Sequence, residues 1–244
     1  MFALMKNLFH TPSSTPPFLV EGGEKGGVRK QSLIVFGGIF LLLLIDQIIK
    51  LWVKQNMVLG EQIKVFDWFY IYFVENPGMA YGIEIGSKLF LSLFRIVAMG
   101  VLCWLIYRLI RERLFKTGFL LVLGLIAAGG IGNIVDSLLY GVIFSSSEGQ
   151  LATLFPPEGG YASFLHGKVV DMFYFPLIDC YLPEWLPWIG GKHFTFFDPI
   201  FNFADSCISV GIVLLILFYR NTLNFAIEHL FNRKRDKKEA NTSL

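Results

Sequence analysis

Histidine, cysteine and net charge are all scarce in this 244-residue chain, and each scarcity removes a class of chemistry. The three cysteines, Cys103, Cys180 and Cys207, lie far apart, so the sequence offers neither a disulfide framework nor a paired-cysteine metal motif. The four histidines, His10, His166, His193 and His229, all fall outside the long apolar runs, which leaves an intramembrane serine nucleophile without a base. No HExxH zinc motif occurs. Charged residues make up 16% of the chain and the net charge is only +2, so nothing predicts a polyanion partner such as nucleic acid. The first thirty residues lack the apolar run and small-residue cleavage site of a signal peptide. They are rich in Pro, Ser and Gly (11–17 and 21–27), which predicts a flexible cytoplasmic tail over residues 1–32.

What the chain has in excess is apolar surface. The hydrophobic fraction is 54% and the mean hydropathy +0.57, more than a soluble domain of this length buries. Four runs approach the roughly 20 residues that cross a hydrocarbon layer of about 30 Å: Leu33–Val53, Leu89–Tyr107, Gly118–Leu139 and Pro199–Tyr219. The first contains Asp46, Gln47 and Lys50; Asp46 and Lys50 are one turn apart with the acid N-terminal, the favourable order for an ion pair. Basic residues cluster before the first run (Lys6, Lys25, Arg29, Lys30), between the second and third (Arg108, Arg111, Arg113, Lys116) and after the fourth (Arg220, Arg233, Lys234, Arg235, Lys237, Lys238). With four crossings these fall on one side, which predicts that both termini are cytoplasmic and that residues 220–244 form a basic cytoplasmic tail.

The expected architecture is an all-α membrane protein, with four transmembrane helices over residues 33–219. Two outer segments, 54–88 and 140–198, connect them. Within the first, Ile63–Val74 (IKVFDWFYIYFV) is β-branched and aromatic, which predicts a small strand pair at the membrane surface. Trp52, Trp68, Trp185 and Trp188 fit the aromatic belt of that interface. The second is longer than a helix connector needs to be, and Ser145–Ser147 with Pro156, Pro157, Gly159 and Gly160 predict an irregular excursion.

Ionisable groups in or beside a membrane span are costly, so Asp46, Lys50, Asp136, Asp171 and Asp205 are functional candidates. Asp205 lies about six residues into the fourth run, where an isolated carboxylate takes up a proton more readily than it stays charged. Two carboxyls at one site tend to hold a single proton between them, and such a pair can activate water: the ionised member removes a proton while the protonated one supports the oxyanion. Asp171, flanked by Val169, Val170, Met172 and Phe173, is the best partner for Asp205. Other readings stand beside this one. A single intramembrane Asp also serves helix packing or an ion pathway, Asp46 with Lys50 also reads as a structural ion pair, and Asp136 can simply orient the end of the third span. Gly124, Ala128 and Gly132, at four-residue spacing, form a stripe that lets helix backbones approach, with Asn133 and Asp136 three apart on one face.

Five segments in order resemble the lipoprotein signal peptidase family (signal peptidase II): DQIIK at 46–50, ENPGMAYG at 75–82, GGIGNIVD at 129–136, GKVVDMF at 167–173 and FNFADSCISVG at 201–211. The resemblance implies an aspartic endopeptidase whose catalytic aspartates are Asp171 and Asp205. Asp46, Lys50, Asn76, Gly78, Gly132, Asn133, Asp136, Asn202 and Ala204 then support the site or bind substrate. It further implies a bacterial inner-membrane monomer, embedded among membrane lipids, with its site near the periplasmic face. Such an enzyme cleaves prolipoproteins before a diacylglyceryl-modified cysteine and uses no metal or organic cofactor. The strand pair resembles the family's surface β-cradle.

The chain departs from the family pattern where Ser137 stands in place of the Arg that usually follows the Asp of the GNxxD motif, and in two outer extensions, 140–167 and 176–198. The competing class is a small membrane carrier or scaffold whose buried acids bind a proton or cation. An inverted repeat would favour it, and none is apparent in the sequence.

Overall fold

The computed structural model describes residues 27–78 and 88–230. Among the described residues, three helices are long and apolar enough to cross a membrane: α1 (Gly27–Asn56), α2 (Lys88–Glu112), and α3 (Thr117–Val135), which runs on through a π-helical turn (Asp136–Tyr140) to Ile143. The fourth apolar run forms α4 (Phe203–Phe218), only 16 residues long, which bends by 88° into α5 (Arg220–Leu230). The bent pair brings the number of candidate spans to as many as four. The helices extend beyond the apolar runs that predict them: α1 begins six residues before Leu33, and residues 220–230, read as the start of a basic tail, are helical.

The central helix is α3, packed against α1, α2 and α4. Close approach is permitted by missing side chains: a Cβ on Gly124 would press on Ile39 of α1, and one on Gly129 would lie 2.2 Å from the Ala204 carbonyl of α4. The apolar core of the bundle is built from Val35, Ile39, Ile106, Leu109, Ile110, Phe119, Leu120 and Leu123. Leu33, Phe40, Leu41, Phe90, Phe94, Val97 and Leu217 face outward, as they must if the solvent there is lipid.

At one end of the bundle lies a three-stranded antiparallel sheet, β1 (Gln62–Phe66), β2 (Phe69–Asn76) and β3 (Val169–Tyr174), in the order β1-β2-β3. The strand pair expected over Ile63–Val74 is β1 and β2; the third strand comes from more than ninety residues away and carries Asp171. Val74 pairs with Asp171, Glu75 with Val170 and Asn76 with Val169. Since successive side chains alternate, Val169, Asp171 and Asn76 share one face while Glu75, Val170 and Met172 share the other. That second face covers a small core of Val53, Met57, Phe73, Tyr140, Phe144 and Ala152.

The extension 176–198 is less irregular than its composition predicts. It contains a second hairpin, β4 (Ile178–Tyr181) and β5 (His193–Phe196). The extension 144–168 has no strand of its own but folds back onto the end of α3, with Tyr161 N donating to Phe144 O, Ala162 N to Gly141 O and Gly167 N to Ser137 O.

Candidate active site

Two chain segments distant in sequence are stitched together where β3 meets α4. Met172 N and Phe173 N both donate to Phe201 O, and Phe201 N returns a bond to Phe173 O at 3.1 Å. This bridge places Asp171 beside Asn202, the residue that caps α4. Asn202 Oδ1 accepts from Asp205 N at 2.9 Å, and the Asp205 carboxylate reaches back to Asn202 N at 3.3 Å, a reciprocal capping box that fixes Asp205 on the first turn.

The two aspartates are held by a shared set of amides. Asn202 Nδ2 donates to Asp171 Oδ1 at 2.6 Å and to Asn133 Oδ1 at 3.1 Å, while Asn133 Nδ2 donates to Asp205 Oδ1 at 2.8 Å. The orientation of both amides follows from Lys50. Its ammonium can only donate, and it sits 2.9 Å from Asn133 Oδ1, so the Asn133 NH2 must face Asp205 and the Asn202 NH2 must face Asn133. Asn76, diagonal to Asp171 on the same face of the sheet, adds a further hydrogen bond to that carboxylate.

Lys50 is fully buried between two carboxylates, 3.0 Å from Asp46 and 2.8 Å from Asp136. Asp46 Oδ1 also accepts from Ala204 N at 3.0 Å, and Asp136 Oδ2 accepts from Val170 N at 3.2 Å. One triad therefore ties α1 to the start of α4 and the end of α3 to β3, bracketing both candidate aspartates. A Cβ on Gly132 would stand 2.6 Å from Asp46 Oδ2, and one on Gly167 would stand 2.1 Å from Asp136 O; glycine at both positions is what lets these elements close. Gly78, with φ +104°, turns the chain after β2 and donates to Asn76 Oδ1 at 2.8 Å. Every candidate site residue named from the sequence thus lies in this constellation or bonds directly to a member of it. The portion of ENPGMAYG from Met79 onward falls outside the described residues.

Asp171 is 4% exposed and Asp205 half-buried. Removal from water, reinforced by the negative charge of Asp205, pushes the Asp171 carboxyl up to about 7, against the hydrogen bonds from Asn202 and Asn76 that favour its ionised form. Near neutral pH Asp171 is therefore balanced between its protonated and ionised forms, and keeps its proton as the pH falls below that.

Sequence reasoning missed Gln47, Tyr140 and a second buried cluster. Gln47 Nε2 donates to Asp46 and Asp136 at 3.1 Å each, and its oxygen accepts from Tyr140 Oη, so it closes the Lys50 triad. The position beside Asp46 in the apolar run was the available signal. Lys54, fully buried one turn after Lys50, pairs with Glu75 and donates to Ser147 Oγ at 2.9 Å, beneath the rings of Tyr161, Phe144 and Phe73. Lys168 approaches the other Glu75 oxygen at 3.3 Å. This cluster joins the 144–168 extension to the strand position next to Asn76. Ser137 is buried, its hydroxyl bonded to Asn133 O at 3.0 Å.

Comparison with known proteins gives a consistent result. The chain matches the family described as signal peptidase (SPase) II over residues 38–220. It is 59% identical over 198 residues to a lipoprotein signal peptidase of Porphyromonas gingivalis, a match covering 81% of this chain and 88% of the relative. It is 36% identical to one of Amoebophilus asiaticus, covering 79% and 80%. A solved structure described as a bacterial membrane enzyme, determined at 2.3 Å by the in meso method, superposes with a TM-score of 0.52 at 22% identity over 78% of this chain and 90% of that one, a likeness of fold.

Proposed function

Since this chain belongs to the signal peptidase II family, we propose that Asp171 and Asp205 are its catalytic dyad. The protein is a multi-pass membrane hydrolase that removes signal peptides from prolipoproteins. The observation carrying the dyad is the placement of Asn202, which bonds both aspartates and forces them into one site.

Water held between the carboxyls attacks the scissile carbonyl carbon. Asp205, the less buried carboxylate, with one oxygen facing Asn133 Nδ2 and the other Asn202 N, takes a proton from that water. Asp171, the buried member whose carboxyl is pushed up to about 7, donates in its protonated form a hydrogen bond to the oxyanion that forms. When the tetrahedral intermediate collapses, the C–N bond breaks and the proton on Asp205 passes to the departing amine of the cysteine. No covalent enzyme intermediate is required. Lys50, Asp46 and Asp136 touch no reacting atom in this scheme; they fix Asn133, α4 and β3.

The cleaved bond lies before a diacylglyceryl-modified cysteine, and the lipidated signal helix enters laterally between spans. The chain crosses a bacterial inner membrane four times as a monomer, with both termini cytoplasmic and the site near the periplasmic face; the segregation of Lys and Arg supports this orientation. Incubation of the purified chain with a diacylglyceryl-modified prolipoprotein tests the reading: a shortened lipidated product and a free signal peptide are expected, and ion flux without cleavage would favour a carrier.

A further inference from the structure

We infer that the β4–β5 hairpin is a membrane-surface paddle, laying one face on the outer leaflet beside the active site. The alternation of its two strands sorts the side chains cleanly. Asp179, Tyr181, His193 and Thr195 point to one face, where His193 and Thr195 both bond Asp179 and the Tyr181 ring meets the His193 ring edge-on. Ile178, Cys180, Phe194 and Phe196 point to the other, all exposed, with no neighbour among the described residues covering them. An isolated two-stranded hairpin is marginally stable in water, and an amphipathic one calls for a surface.

Three observations favour lipid as that surface. The hairpin lies within the loop that the Phe173–Phe201 bridge closes, and an aromatic series runs from the β1–β2 turn at Trp68 through Phe175 and Phe201 to Phe197 at its base, so its apolar face continues a membrane-embedded molecule. The connecting segment 182–192 carries Trp185 and Trp188, 79% and 94% exposed, and its only charged residues, Glu184 and Lys192, cancel. That composition suits the headgroup boundary, where tryptophan concentrates, better than a charged protein partner. Trp188 also sits at φ +62°, an unfavourable backbone for a bulky residue, yet the segment is held by backbone bonds from Leu182 to Lys192 and from Gly191 to Leu182. The tip is a formed structure that presents its indole outward.

The leaflet named rests on the periplasmic placement of the site proposed above; contact with lipid does not. The test uses the full chain in nanodiscs whose lipids carry a nitroxide quencher at a shallow or a deep acyl position. Fluorescence of the wild type is compared with that of a W185F/W188F variant, so that the difference reports these two of the five tryptophans. The expected result is that shallow quenchers remove most of the difference emission, deep quenchers remove less, and aqueous acrylamide removes little. Strong acrylamide quenching with no effect of lipid quenchers would overturn the proposal. So would shielding that appears only when a prolipoprotein is added, or only when two copies share a disc. Processing of prolipoprotein in the same discs is read separately, so lipid quenching without cleavage would sink the peptidase reading and leave this one standing.

Discussion

Asn202 donates its side-chain amide to Asp171 at 2.6 Å from the N-cap of the helix that carries Asp205. A single residue thus couples the end of β3 to the first turn of α4. Its two amide hydrogens go to Asp171 and Asn133, and its oxygen to the Asp205 backbone, so no part of the side chain is free.

Replacing Asn202 by Ala removes together the helix cap and a hydrogen bond to Asp171 that is charge-assisted whenever that carboxyl is ionised. A lost cap and a lost hydrogen bond each cost about 1 kcal/mol or more, which predicts a fall in processing rate of about 10- to 100-fold. The Asn202→Asp variant should do worse, since it adds a third carboxylate facing Asp171. Single-turnover rates on purified enzyme check both; a normal rate for Asn202→Ala would deny it a positioning role.

The raised Asp171 carboxyl predicts two pH effects. Activity should follow a bell-shaped profile belonging to the pair, with its alkaline limb near pH 7 as the proton on Asp171 is lost. For stability, the folded value lies above the ordinary one near 3.8, so the folded state holds the extra proton and stability falls as pH rises from about 4 to about 7. Asp171→Asn removes this penalty. Each tenfold gain in proton affinity on folding corresponds to about 1.4 kcal/mol, so the variant should be more stable than wild type by up to about 4 kcal/mol above pH 7, with the gap closing toward pH 4. Thermal unfolding in detergent across pH reads the difference, and a gap that widens toward acid would contradict it.

Lys50→Met strands Asp46 and Asp136 in the bundle. Removing one partner of a buried ionic group costs about 3–5 kcal/mol, so a marked fall in Tm is expected. Asp46→Asn and Asp136→Asn added to Lys50→Met should restore much of the stability. They should not restore the rate, because the ammonium that turns the Asn133 amide toward Asp205 is still missing. Recovery of both would mean that Lys50 serves stability alone.

The Lys54 and Glu75 pair fastens the 144–168 extension. Glu75→Leu alone leaves Lys54 buried without its carboxylate and should destabilise by about 3–5 kcal/mol, while Lys54→Met combined with Glu75→Leu should recover most of that. Limited proteolysis within residues 145–160 should rise in the single variant and subside in the double. Equal susceptibility in wild type and single variant would remove the cluster from this role.

Much of the site is legible in the sequence because membranes penalise charge: Asp46, Lys50, Asp136 and Asp205 stand out against apolar runs. The short motifs around them point to one family. Asp171 is legible through its apolar flanks. What the sequence leaves hidden is relational. That β3 pairs with β2, so that Asn76 faces Asp171, depends on a register between strands more than ninety residues apart, which local composition does not encode. Gln47 and Tyr140 look like ordinary residues of an interrupted span until the π-helical turn aims one at the other. Lys54 stands just past the first apolar run with nothing beside it to signal burial, which becomes visible only when the extension folds over it. The β4–β5 hairpin is masked by the prolines and glycines of its long tip, whereas its strands are only four residues each.

The most direct test of the two-carboxyl mechanism is the processing rate of Asp171→Asn and Asp205→Asn on a diacylglyceryl-modified prolipoprotein, measured with folding confirmed by thermal unfolding. General acid–base groups contribute about 10²–10⁴-fold, so each variant should lose at least about 10²-fold in rate while remaining folded. Wild-type processing by either one would contradict the assignment.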